Sequence, residues 1–152
     1  MFIIPLIDIF ASGLDWVLND ADAPKGLFFF FGVSFMNGIV METGRKIKTE
    51  EMEEEGVVSY TKLWGVNAAP VIWNCMLTLN ATLAILAGWF AGYGQVTFII
   101  LGSLFLVFSL PCWIFIKNKT KKNAKMIETA SIVWTMLMYF ILGAVPMIQN
   151  MI

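Results

Sequence analysis

The chain has 152 residues, of which 59% are hydrophobic and 14% charged, with no histidine and a net charge of −1. Its mean hydropathy is +0.76. Soluble domains are roughly a quarter charged and a little under half apolar, and a chain this short cannot hide so much apolar surface from water in one globule. The composition excludes an ordinary soluble enzyme or a nucleic-acid-binding module and predicts an all-α, polytopic transmembrane bundle.

In chain order, the first apolar stretch is Phe2–Leu18. No Lys or Arg precedes it, and Asp8 and Asp15 interrupt it, so it does not read as a signal peptide. A chain that begins inside an apolar helix is expected to be the second part of something longer. Four further stretches, Gly26–Met41, Val66–Gly88, Val96–Ile116 and Met126–Ile148, approach the roughly 20 apolar residues a span needs. Five spans joined by compact connections predict antiparallel neighbours.

Arg45, Lys46, Lys48 and Lys62 lie in one connection and Lys117, Lys119, Lys121, Lys122 and Lys125 in another, two spans later. Both then share one face, which the positive-inside rule makes cytoplasmic. The N-terminus is expected inside and the C-terminus outside, in a cytoplasmic (inner) membrane. Pro5, Pro70, Pro111 and Pro146 lie in or near spans and predict kinks, and Trp16, Trp64 and Trp89 sit at span ends as interfacial anchors. Cys75 and Cys112 fall inside apolar runs and read as buried free thiols.

Helical spacing sorts the intramembrane polar residues into stripes. Asp8, Ser12 and Asp15 share a face of the first span, and Ser34, Asn37 and Arg45 nearly align on the second, with Glu42 close by. Asn67, Asn74 and Thr78 follow on the third, and Glu128, Ser131, Thr135 and Tyr139 on the last. Asn, Ser and Thr in such places serve as interhelical glue worth about 1 kcal/mol each. An ionised Asp is different, costing at least roughly 2.5–3.5 kcal/mol near the bilayer centre, so Asp8 needs a polar cavity or a partner.

The densest charge lies at Met41–Gly65, METGRKIKTEEMEEEGVVSYTKLWG, which holds six of the eleven acidic residues and four of the ten basic ones. Glu51 with Glu54 or Glu55 has the spacing that lets carboxylates converge. Mg²⁺ favours oxygen ligands and shares one or two carboxylates with substrate phosphates. Arg45 and Lys46 are placed to meet the same phosphates.

Read from Phe35–Gly38 through Gly65, with Gly56, Ser59 and Gly65 in frame, this segment resembles the second acidic motif of the UbiA superfamily of intramembrane prenyltransferases, in a branch whose acidic residues are largely Glu. Ile4–Trp16 is similar to that branch as well, and the whole chain resembles the family's C-terminal half. The resemblance implies Mg²⁺ and an isoprenoid diphosphate donor, whose allylic group passes to an acceptor as diphosphate departs. It implies Glu42, Glu51 and Glu54 as metal-side carboxylates, with Glu53 as an alternate. Arg45 and Lys46 would hold diphosphate, Asn37 would support the site from its helix, and Asp8 would lie on the substrate side. The family's first acidic motif is missing, since Asn19-Asp20-Ala21-Asp22 only imitates it on the outer face. The expected protein is therefore half a site, completed by an N-terminal half or a partner chain. The alternative is a non-catalytic membrane protein that binds or carries a cation or small solute along Asp8, Asn74 and Glu128. Under either reading the Lys117–Lys125 connection meets anionic lipid.

Overall fold

A computed structural model describes residues 3–18, 20, 22–53 and 56–149. The order is α1 (Ile3–Leu18), α2 (Leu27–Arg45), a 3₁₀ turn at Glu50–Met52, α3 (Tyr60–Trp64), α4 (Ala68–Phe90), α5 (Gly94–Lys117) and α6 (Lys121–Gln149), with no strand among the described residues. Four helices are long and apolar enough to cross a membrane: α2, α4, α5 and the Lys121–Gly143 portion of α6. At 16 residues α1 is shorter than these.

The helices overrun the apolar stretches that predicted them. α2 continues past Met41 to Arg45 and so carries Glu42 on its last turn. α6 begins at Lys121, because Thr120 accepts from the Asn123 N–H through its hydroxyl and from the Ala124 N–H through its carbonyl. Charge at a helix end costs the helix nothing when it reaches water, so hydropathy underestimates these lengths. The proline expectation is narrowed in the same way. Pro5 and Pro70 stand in the first turns of α1 and α4, where the missing N–H has no intrahelical partner to lose. Pro111 is interior to α5.

α4 is the central helix and packs against α2, α3, α5 and α6. Trp73, Leu77, Leu101, Phe115, Ile127 and Trp134 are wholly buried around it. Small residues permit the close approach: Ala81, Ala84, Ala87 and Gly88 form the buried stripe of α4's second half. A Cβ at Gly88 would stand 2.4 Å from Thr97 Oγ1 of α5. Trp73 and Trp134 therefore belong to the core, while Trp89 is 62% exposed at a helix end. Of the four apolar windows, 22% of that in α5 is buried against 39–44% in the others, which makes α5 the most outward-facing of the four candidate spans. Its exposed Phe98, Ile99, Leu106, Val107, Leu110 and Trp113 form an apolar surface suited to lipid. The thiols divide: Cys112 is buried, as expected, but Cys75 is exposed on α4, where the outward face of an apolar helix meets lipid.

Candidate functional site

The charged segment folds back on the end of the bundle where α2 finishes, α4 starts and α5 turns into α6. Ile47 is buried beneath it, and the Tyr60 N–H donates to the Lys46 carbonyl at 3.0 Å. The two limbs of this loop are tied by side chains. Thr61 Oγ1 accepts from the Lys48 N–H at 3.2 Å, Ser59 Oγ shares a 2.9 Å hydrogen bond with Thr61 Oγ1, and Ser59 donates to the Glu53 carboxylate. Ser59 also caps α3, accepting from the Lys62 N–H.

Two adjacent clefts result. One, of about 300 Å³, is lined by Thr49, Glu50, Glu51, Val66 and Lys119. The other, of about 290 Å³, is lined by Lys48, Glu50, Glu53, Thr61, Lys62 and Val66. They meet at Glu50 and Val66. Lys119 comes from the α5–α6 connection, so the two basic connections do lie at one end of the bundle. Among the described residues, two buried oxygens in the cleft walls, Thr49 Oγ1 and Glu53 Oε2, have no hydrogen-bond partner. Burying a polar atom without a partner costs roughly 1–3 kcal/mol, so such atoms mark places that suit a cation or a donor ligand.

The residues predicted for the site separate into three groups. Glu51 and Glu53 reach the clefts, joined there by Glu50, to which sequence reasoning assigned no role, while Glu54 lies outside the described residues. Glu42, Arg45 and Lys46 form a compact trio on the last turn of α2, with Arg45 Nη2 2.6 Å and Lys46 Nζ 2.8 Å from the Glu42 carboxylate. Lys46 also stands 5.5 Å from the centroid of the Tyr60 ring. Its hydrogen bond to Glu42 raises its pKa above the ordinary lysine value. Arg45 and Lys46 thus face Glu42, not the clefts.

Asn37 and Asp8 lie deeper. At 1.5 Å per residue, Asn37 is about 12 Å along α2 from Arg45. It is buried and accepts from Asn80 Nδ2 of α4 at 2.9 Å, which leaves Asn37 Nδ2 and Asn80 Oδ1 unpaired. One turn away, Ser34 donates to the Asp8 carboxylate of α1 and shares a 2.9 Å hydrogen bond with Tyr139 of α6. Asp8 therefore has the partner that its cost required. Further toward the charged end, Trp73 Nε1 donates to Ser131 Oγ at 2.9 Å, and Ser131 donates to the Ile127 carbonyl. The interior is a ladder of polar cross-links below a charged mouth.

Lys48, Thr49, Glu50, Lys62 and Lys119 line the clefts and were not assigned to the site from the sequence. Their common-face placement was legible for the lysines, but the sharing of one cleft by Lys119, Glu50 and Glu51 depends on how the two connections fold. Among the described residues no three His, Cys, Asp or Glu side chains gather closely enough to hold a metal by themselves. The donor set still suits Mg²⁺ as it binds with phosphates, because one or two carboxylates suffice and the phosphate supplies the remaining oxygens. No family model matches the chain, and comparison with curated proteins and with solved structures returns no match.

Proposed function

We propose that the chain is one half of a UbiA-like intramembrane prenyltransferase, with five spans, an inside N-terminus and its charged clefts on the cytoplasmic side of the inner membrane. The observation that carries this reading is the pairing of unpartnered buried oxygens with lysines around Glu50. Thr49 Oγ1 and Glu53 Oε2 suit a hard cation, and Lys48, Lys62 and Lys119 suit phosphate oxygens.

Glu51 and Glu53 would hold Mg²⁺, with Glu50 at the junction of the clefts, and Glu54 is the third carboxylate the sequence pattern assigns to the metal. Mg²⁺ held by these carboxylates would supply neutralising charge to the diphosphate. The lysines bind and orient the diphosphate from both sides. Glu42 holds Arg45 and Lys46 at the rim, from which they turn toward diphosphate as it enters. Asn37, Ser34 and Asp8 brace the bundle beneath the clefts through their interhelical hydrogen bonds. One acidic segment makes one side of a two-sided site, so an N-terminal half supplies the other.

The test is Mg²⁺-dependent binding of a prenyl diphosphate in bilayer nanodiscs, by the chain alone and together with an N-terminal half carrying the first acidic motif. Binding and turnover are expected only from the completed assembly, and Glu51→Gln/Glu54→Gln is expected to abolish the Mg²⁺ dependence. Unchanged binding in that variant removes the metal assignment, and robust turnover by the chain alone removes the half-site.

A second reading, a cation or small-solute carrier, is favoured by the cross-links Asp8–Ser34–Tyr139 and Asn37–Asn80 within the bundle. Flux into liposomes that is lost on Asp8→Asn and indifferent to Glu51→Gln supports it over the first.

A further inference from the structure

The segment between Gly56 and Gly65 is built inside out. Both glycines have positive φ, 82° and 92°, conformations that a side chain would strain, and they frame a unit containing α3. Its polar residues are inside: Ser59 and Thr61 are 1% and 4% exposed and bonded to Glu53 and the Lys48 N–H. Its large apolar residues are outside, with Val57 44%, Val58 54%, Leu63 60% and Trp64 37% exposed. Tyr60 stacks flat on Trp64 at 4.3 Å, which stiffens this outer surface. In water that arrangement leaves Val57, Val58, Leu63 and Trp64 on the wrong side.

Position resolves it. α4 has 23 residues and is about 34 Å long, close to the hydrocarbon thickness of a bilayer. Its first residue therefore stands at an interface. Trp64 precedes Ala68 by so few residues that it is held within roughly 14 Å of that level. Lys62 and the 61%-exposed Arg45 side chain supply cations on the same rim, as anionic headgroups favour.

We propose that Val57–Trp64 is a membrane-surface anchor, seating Val57, Val58, Leu63 and Trp64 in the headgroup–acyl boundary of the bilayer that α4 crosses. The anchor fixes the height of the two clefts at the lipid surface, because Thr61 lines one of them and Val66 lines both. It rests on the membrane-spanning helices and not on the diphosphate reading, which Glu51→Gln tests separately and which leaves the anchor in place.

Spin labels at Val58→Cys and Leu63→Cys, in a Cys75→Ala/Cys112→Ala background, test it in phosphatidylcholine–phosphatidylglycerol vesicles. Glu50→Cys in the cleft and Leu106→Cys on the outer face of α5 serve as water and lipid references. The expected result is a preference for oxygen over a water-soluble nickel chelate at both sites, inverted relative to Glu50→Cys. Loss of quenching by brominated lipid in Trp64→Phe, relative to the unaltered chain, is the second measurement. Chelate access matching Glu50→Cys overturns the proposal. Low access to both collision partners also overturns it, because the patch is then covered by protein, either a second copy or another chain.

Discussion

Gly44→Ala is the sharpest perturbation the packing offers. A Cβ at Gly44 would lie 1.9 Å from Ser131 Oγ, 2.9 Å from Ser131 Cβ and 3.1 Å from Trp73 Nε1. The first distance is about 1.5 Å short of an ordinary contact. Rotating Ser131 does not suffice, because its Cβ stays too close and its hydroxyl leaves Trp73 Nε1, which is fully buried. α2 and α6 must separate. Overpacking of this kind costs about 1–3 kcal/mol, and losing an interhelical hydrogen bond within the membrane adds about 1 kcal/mol. We expect destabilisation of about 2–4 kcal/mol, read from SDS-titrated unfolding in mixed micelles by tryptophan fluorescence. Ser131→Gly removes the obstructing atoms, so Gly44→Ala/Ser131→Gly is expected to recover at least about 1 kcal/mol relative to additivity. A Gly44→Ala protein within about 0.5 kcal/mol of the original, or a strictly additive double variant, refutes the reasoning. Because Gly44 sits between Glu42 and Arg45, the same substitution should also move the charged trio.

Other expectations follow from the polar ladder and the rim. Asn37→Leu or Asn80→Leu alone should cost about 1–2 kcal/mol by stranding its partner, and the double variant should recover part of that in the same unfolding assay. Ser34→Ala should loosen α1, whose main packing partner is α2, and raise hydrogen exchange across Ile3–Leu18 while sparing α4. Lys46 has a raised pKa because Glu42 holds its ammonium form. The pair's contribution is therefore complete below the ordinary lysine value and is lost as pH rises through the raised one. Glu42→Gln should move the Lys46 titration to lower pH in ¹⁵N-lysine spectra, and an unmoved titration contradicts the pairing.

Hydropathy and charge were enough to read the helical membrane class and the gathering of the lysine-bearing connections at one end. Each of these depends on transfer free energy summed over a segment, which neighbours in the fold barely alter. The acidic stretch was legible as a charged mouth for the same reason. Pairing was another matter. Arg45 and Lys46 have the right charge for phosphate, yet they follow Glu42 at i,i+3 and i,i+4 spacing on a helix that runs longer than its apolar run, so they meet Glu42 first. Asn37 looked like a member of one stripe with Arg45, but rise along the helix puts it well below the clefts, and Asp8 meets that helix at Ser34, deeper still.

Composition and patterning dictate that this chain forms apolar helices of membrane-spanning length and that its charges collect at their ends, because burying charge in hydrocarbon is so costly. Tertiary structure alone decided which charges meet. It brought Lys119 across to Glu50 and Glu51, turned Ser59 and Thr61 inward while Val58 and Leu63 face out, and seated Ser131 against Gly44. Those choices depend on the close packing of residues distant in the chain, where a single methyl group decides whether two helices touch.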